Sequence, residues 1–367
     1  MAPITPIARL PLLLFGMLAL IAGVLAGLAR MGISQIPYAP QAATLAWGHG
    51  ALMIPAFLGT VISLERAVAL ARPWAYLAPL CAGSSGLALM AGLPAEFASG
   101  LNIIGGATLT TGSLLIFRQQ PAIYTATLAL GALSWLIGSL TWWASHLIPA
   151  AVPWWMAFLV LTIAGERLEL TRYLPTPRDA QRFFALLIGV LLLSLTSAFW
   201  NESLGLTLYA LTLIILAGWL FRYDIARRTI KQSGLTRFIA LCLLSGYGWL
   251  ATGGVLGVLG GFMAETAGSP LHDAALHSIF LGFVFSMIFG HAPIIFPAVV
   301  RVKIPYHPTF YLPLIALHTS LLMRVLADFL EADQSLLRQT AAIGNGLALA
   351  LFVITMLLSV ASGRRKS

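Results

Sequence analysis

Of the 367 residues, 59% are hydrophobic and only 9% charged, and the mean hydropathy is +0.91. A soluble globular domain is about a quarter charged, so this composition excludes one. The net charge of +9 would suit nucleic acid, but the basic residues cluster in short loops between apolar runs, where anionic lipid headgroups are the natural partner.

Runs of about 20 apolar residues cross a membrane as helices, because only helices and closed barrels satisfy their backbone polar groups in lipid. Twelve such runs follow one another, at 9–29, 42–64, 73–93, 97–117, 122–145, 147–166, 183–200, 203–221, 238–259, 271–300, 309–331 and 336–361. The expected fold is all-α: a polytopic membrane helix bundle of about 12 transmembrane helices, forming one domain over residues 1–367. The first run is longer than the core of a signal peptide and reads as a retained anchor.

The second run contains Trp47-Gly48-His49-Gly50, followed by Met53 and Pro55. Glycines on both sides of His49 let a flat group or another helix approach closely. His49 either ligates a metal or bonds a neighbouring carbonyl. Cys81 and Cys242 fall in the third and ninth runs, and the absence of a Cys-x-x-Cys-His sequence excludes covalent c-type haem. Trp142, Trp143, Trp154 and Trp155 crowd one expected interface as an aromatic belt. Glu65-Arg66 and Glu166-Arg167, with Glu169, stand at inner helix ends. There a proton entry is conceivable, and snorkelling interface anchors are the commoner reading.

The tenth run holds His277 near its outer end, at the depth of His49, and His291 deeper. Fourteen α-helical residues leave the two roughly 40° apart in azimuth and about 21 Å apart along the axis, too far for one ion. Pro293 is expected to loosen the helix after His291. The eleventh run holds His318 beside Thr319 and Ser320, then Arg324 and Asp328. Arg324 and Asp328, four apart, can neutralise each other. Alternatively the Arg324 guanidinium suits a bidentate carboxylate such as a haem propionate. His291 and His318 share an inner depth of roughly 13 Å. They are candidates for a second metal site, copper among the metals imidazole suits, needing a further ligand such as Met287 or water. Packing residues are the alternative. His146, His272 and His307 fall at or near loops.

Basic residues gather after even-numbered runs: Arg66, Arg72, Arg118, Arg167, Arg172, Arg178, Arg182, Arg222, Arg227, Arg228, Lys231, Arg237, Arg301, Lys303, Arg364, Arg365 and Lys366. The opposite loops carry Glu96, Glu202, Glu265, Asp273, Glu331 and Asp333. That asymmetry places both termini in the cytoplasm.

With these residues placed, the pattern resembles the NnrS family of haem- and copper-containing membrane proteins and, more distantly, subunit I of the haem-copper oxidases. His277, Gly282 and Met287 match a His-x4-Gly-x4-Met pattern, and His49, Gly50 and Met53 match His-Gly-x-x-Met. Gly246-Tyr247-Gly248-Trp249 is similar to the start of that family's ninth span, and Arg324-Val325-Leu326 to its eleventh-span ending. The resemblance implies a haem-copper-oxidase-like bundle in the bacterial cytoplasmic membrane. It implies a b-type haem with axial ligands His49 and His277, Arg324 near a propionate, a redox partner, and a role connected with nitric oxide or nitrosative stress. The chain departs from the pattern at Trp47, where the family carries a second histidine, and it lacks the oxidase copper triad. A secondary transporter is the rival reading, since twelve helices with both ends inside suits carriers. A metal-delivery protein is the other.

Overall fold

The computed structural model describes residues 5–33, 35, 38–171, 177–329 and 334–365. Arg172, Glu331, Asp333 and Lys366, counted above in the charge asymmetry, lie outside them. The chain falls into two compact units: residues 1–162 with 298–301, and residues 163–297 with 302–367.

Among the described residues, eleven helices are long and apolar enough to cross a membrane, by length and composition. These are α1 (Pro6–Arg30), α2 (Ala46–Leu70), α4 (Ala95–Gln119), α5 (Ile123–Ser145), α6 (Ile148–Thr171), α7 (Arg178–Ser197), α8 (Glu202–Tyr223), α9 (Gly234–Gly261), α10 (Pro270–Val299), α11 (Pro308–Phe329) and α12 (Leu336–Gly363). The chain is a multi-pass membrane protein. The expected third span is the exception. Pro73–Tyr76 winds as a tight 3₁₀ turn, leaving only the 14 α-helical residues of α3 (Leu77–Met90).

The first unit is held by small residues, as lipid-embedded helices must be, since no hydrophobic force drives them together in lipid. On α1, Gly16 faces Thr60, Gly23 faces Met53 and Gly27 faces His49, all of α2. Gly83 of α3 faces Phe15, and Gly86 of α3 faces Ala19 and Ala56. A Cβ on Gly106 of α4 would sit 2.9 Å from the Leu136 Cα of α5. The expected tryptophan belt is mostly core: Trp142, Trp154 and Trp155 are buried, and Trp143 of that group is 52% exposed. Trp142 and Trp155 meet edge to face, 5.7 Å apart. The run of adjacent indoles reads as a belt because helix azimuth is invisible in a doublet.

In the second unit, Trp219 of α8 donates its indole N–H to the Ala180 carbonyl of α7 at 2.9 Å. Gly246 of α9 accommodates the Met287 side chain of α10, and Gly344 of α12 accommodates Ser320 of α11. Phe289 of α10 stacks on Phe352 of α12, with 4.0 Å between centroids.

Two long helices change their winding. Leu52–Leu58 in α2 and Ser278–Phe285 in α10 are π-helical. Pro55 lies inside the first stretch, where it has no N–H to give to Ala51 in an α-helical bond. In α10 the π stretch lies between His277 and His291, so an azimuth reckoned at 100° per residue does not hold across it. Helical structure continues past Pro293 and Pro297, with no break after His291. The last turn of α9 is also π-helical and ends through Gly260 at φ +100°, a conformation that favours glycine.

Candidate functional site

His49 is the first residue of an α-helical turn that leads directly into the π stretch of α2. Its Nδ1 lies 2.7 Å from the Gly23 carbonyl of α1. A carbonyl oxygen only accepts, so Nδ1 carries the proton and Nε2 holds the ring's lone pair. The imidazole fits here because Gly27 has no side chain: a Cβ there would come 2.8 Å from His49 Cε1.

In the second unit His277 stands at the head of the other π stretch. Its Nδ1 lies 2.9 Å from the Asp273 carbonyl and 3.2 Å from the Asp273 carboxylate, one turn back on α10. The tautomer is the same as at His49. Asp273 in turn takes a two-pronged bond from Arg324 of α11, Nε at 2.6 Å and Nη2 at 2.8 Å. Arg324 also donates Nη1 to Asn345 of α12 at 3.4 Å, and Asn345 donates to Ser320 Oγ at 2.7 Å. Arg324, Asn345 and Ser320 are all buried. A polar chain therefore runs His277–Asp273–Arg324–Asn345–Ser320.

This arrangement corrects two expectations for Arg324. Its partner is Asp273 rather than Asp328, whose carboxylate instead meets Arg338 Nε at 2.7 Å. Its planar fork is filled by a carboxylate of the protein, so it does not fit a haem propionate directly.

A second buried network surrounds Asp224, the residue that ends α8. Arg167 of α6 grips its carboxylate with Nε at 2.7 Å and Nη2 at 3.0 Å. Tyr247 of α9 donates its hydroxyl at 2.7 Å, and the Ala226 N–H donates at 2.7 Å in an Asx-type turn. Arg167 Nη1 lies 3.2 Å from His291 Nε2, and His291 Nδ1 lies 2.6 Å from the Met287 carbonyl. His291 therefore donates through Nδ1 and accepts from a guanidinium at Nε2. Arg167 is 3% exposed, an internal ion-pair partner and no interface anchor.

His318 is committed on both sides. Its Nδ1 accepts from the Trp249 indole at 2.9 Å, so its Nε2 is the protonated nitrogen and donates to Ser245 Oγ at 2.9 Å. Its single ring lone pair, on Nδ1, is already taken by the indole, and none is left for an ion. His291 has its lone pair facing a cation. The copper expectation for His291 and His318 is therefore not carried by these contacts, and Met287, the expected third ligand, packs its methyl group on Gly246. Among the described residues, no three His, Cys, Asp or Glu side chains gather where they could hold a metal ion. Of the remaining histidines, His146 is exposed beside Glu96 at 3.2 Å, His307 bonds Thr309 in the cap of α11, and His272 bonds the Gly261 carbonyl.

For a haem, the donor chemistry of His49 and His277 fits. Each imidazole has its Nδ1–H held by a carbonyl, the outer-shell pattern of ligating histidines. Asn345 and Asp224 are the residues that sequence reading passed over; Arg167 was read as an inner-end residue and Tyr247 only as part of a motif. Asp273 was counted as a loop charge, yet its position four residues before His277 in an apolar run was a usable signal. Nothing in the sequence pairs Arg167 with Asp224, 57 residues away.

The chain belongs to the family described as Domain of unknown function (DUF8744), whose model matches residues 9–361. No curated protein matches it.

Proposed function

We propose that this protein is a haem b-binding integral membrane protein of the NnrS type, concerned with redox chemistry or nitrosative stress. His277 and His49 are its proposed imidazole ligands. One observation carries the reading: both histidines hold the Nδ1-protonated tautomer against a carbonyl, and both precede a π-helical stretch. π-helical segments are rare and concentrate at functional sites. Haem b supplies one-electron redox chemistry, or a site for a small diatomic ligand when an imidazole is released.

The proposed setting is the bacterial cytoplasmic membrane with both termini in the cytoplasm, supported by the basic loops at one set of helix ends; it requires α3 with its preceding 3₁₀ turn to complete a twelfth crossing, since eleven crossings would leave the termini on opposite sides. Withdrawing the buried Arg167 from those basic loops leaves Arg178 and Arg182 on the same connection, so the sign of the asymmetry is unchanged. A redox partner and anionic lipids are the expected associates.

The absorption spectrum of the purified full chain tests the reading. A sharp Soret band, with split visible bands on reduction, is expected. Loss of that band in His277→Ala and in His49→Ala supports both ligands. A band that persists in both variants rejects the ligand assignment.

A secondary transporter is the second reading, favoured by the buried Arg167–Asp224 pair, since ionisable groups inside membrane helices often mark ion or substrate paths. A colourless protein that cannot be loaded with haem selects it over the first.

A further inference from the structure

We infer that Asp273 is a positioning residue for His277, and that Arg324 sets how strongly the Asp273 carboxylate acts on that imidazole; the inference rests on the haem reading above. The observations are within the second unit. The His277 Nδ1–H faces both the carbonyl and the carboxylate of Asp273, at 2.9 and 3.2 Å. The same carboxylate is clasped by Arg324 at 2.6 and 2.8 Å. Arg324 is held from its other side by Asn345, which is anchored on Ser320, and Ser320 donates to the Ala316 carbonyl at 2.7 Å. Every member of this chain is directed, and it ends at His277, the proposed imidazole ligand.

The arrangement is more than a helix staple. A pair serving only to join α10 and α11 has no need of a histidine one turn along from the carboxylate, with its ring nitrogen turned towards it. A carboxylate accepting from Nδ1–H fixes ring orientation and makes Nε2 a stronger donor. A stronger donor favours the oxidised iron. The guanidinium draws electron density from the carboxylate and moderates that push. Arg324 therefore reaches the haem chemistry through Asp273 and His277 rather than through a propionate.

The two partners must then act in opposite directions, which simple loosening of the fold does not produce. Reduction midpoints are read by dye-mediated titration of the purified, haem-loaded full chain. Asp273→Asn is expected to shift the one-electron equilibrium towards the reduced state by at least about tenfold, or ~59 mV. Arg324→Gln is expected to shift it the other way.

Because each single variant leaves a buried charge unmatched, the neutral double variant Asp273→Asn with Arg324→Gln serves as the control that removes both charges together. It should keep its haem and shift in the direction of Asp273→Asn. A double variant with the wild-type midpoint, or single variants that shift in the same direction, would overturn the inference while leaving haem binding intact. A wild-type chain that takes up no haem overturns both, and the wild-type spectrum alone separates that case from the other.

Discussion

The Trp249 indole N–H points at Nδ1 of His318 across 2.9 Å, with the two rings 18° from parallel. The indole also lies against Gly282 in the π stretch of α10, where a Cβ would overlap its Cβ and Cγ. Gly282 and Trp249 belong to two separate short motifs that gave the sequence its resemblance. Folding brings them together, and His318 is locked in consequence.

Gly282→Ala should therefore act at a distance from its own helix. The added methyl displaces the indole, and His318 loses its donor. Overpacking of this kind costs about 1–3 kcal/mol, and the orphaned ring nitrogen adds a further ~1–3 kcal/mol. The measurement is the unfolding midpoint in detergent micelles. An unchanged midpoint would mean that the indole has room to move.

His318→Gln separates packing from ligation. Glutamine keeps a donor and an acceptor near Ser245 and Trp249, so stability should fall by no more than about 2 kcal/mol. The haem and metal content of the purified protein should equal that of the wild type. A stoichiometric loss of copper would restore the role that the hydrogen bonds deny to His318.

Gly27→Ala probes His49 without touching the imidazole. The new Cβ would stand 2.8 Å from His49 Cε1 and 3.0 Å from Nδ1, so the ring must turn away from Gly23. Under the proposed function the Soret band weakens or shifts, whereas Gly48→Ala, next in sequence to His49 but with nothing within 4 Å of the added Cβ, leaves it in place. Equal spectra in the two variants would remove His49 from the ligand set.

The helical class and eleven of the spans were legible because hydropathy and span length are one-dimensional properties. The third helix is shorter than its apolar run because Pro73 starts a 3₁₀ turn and the α-helix begins only after it. Azimuth was the weaker coordinate. Trp142, Trp154 and Trp155 face the core and Trp143 faces out, a distinction that depends on how α5 and α6 pack. The π stretch between His277 and His291 also defeats any rotation reckoned from α-helical geometry. Partners distant in sequence were the least legible: Arg324 takes Asp273, 51 residues away, over Asp328, four residues away. The i,i+4 rule supplies candidates on one helix, and tertiary packing chooses among all of them.

Burial predicts a sharp contrast among the tryptophans. Trp155→Ala removes a fully buried indole packed edge to face on Trp142, at a cost of ~3–5 kcal/mol. Trp143→Ala removes an indole that is 52% exposed and should stay within about 0.5 kcal/mol. Quenching by brominated lipid should reach Trp143 and spare Trp155. Equal quenching of the two would return them to a common interfacial belt.

The Arg167–Asp224 pair permits the most demanding test of the second network. Both side chains are nearly inaccessible, at 4% and 0% exposure, so removing one leaves the other buried without its bidentate partner. Arg167→Met or Asp224→Asn alone should cost about 3–5 kcal/mol. The two losses should not add. In the double variant no uncompensated charge is left, and the paired loss should be smaller than the sum by a coupling of roughly 1–3 kcal/mol. Tyr247→Phe supplies the graded control, because it deletes one donor to the Asp224 carboxylate and leaves the guanidinium in place. Its cost should be ~1.5–3 kcal/mol in the Arg167 background, and it should change when Arg167 is already methionine. Strict additivity of Arg167→Met and Asp224→Asn in the unfolding midpoint would show that the two side chains do not depend on each other. The buried network would then reduce to separate contacts.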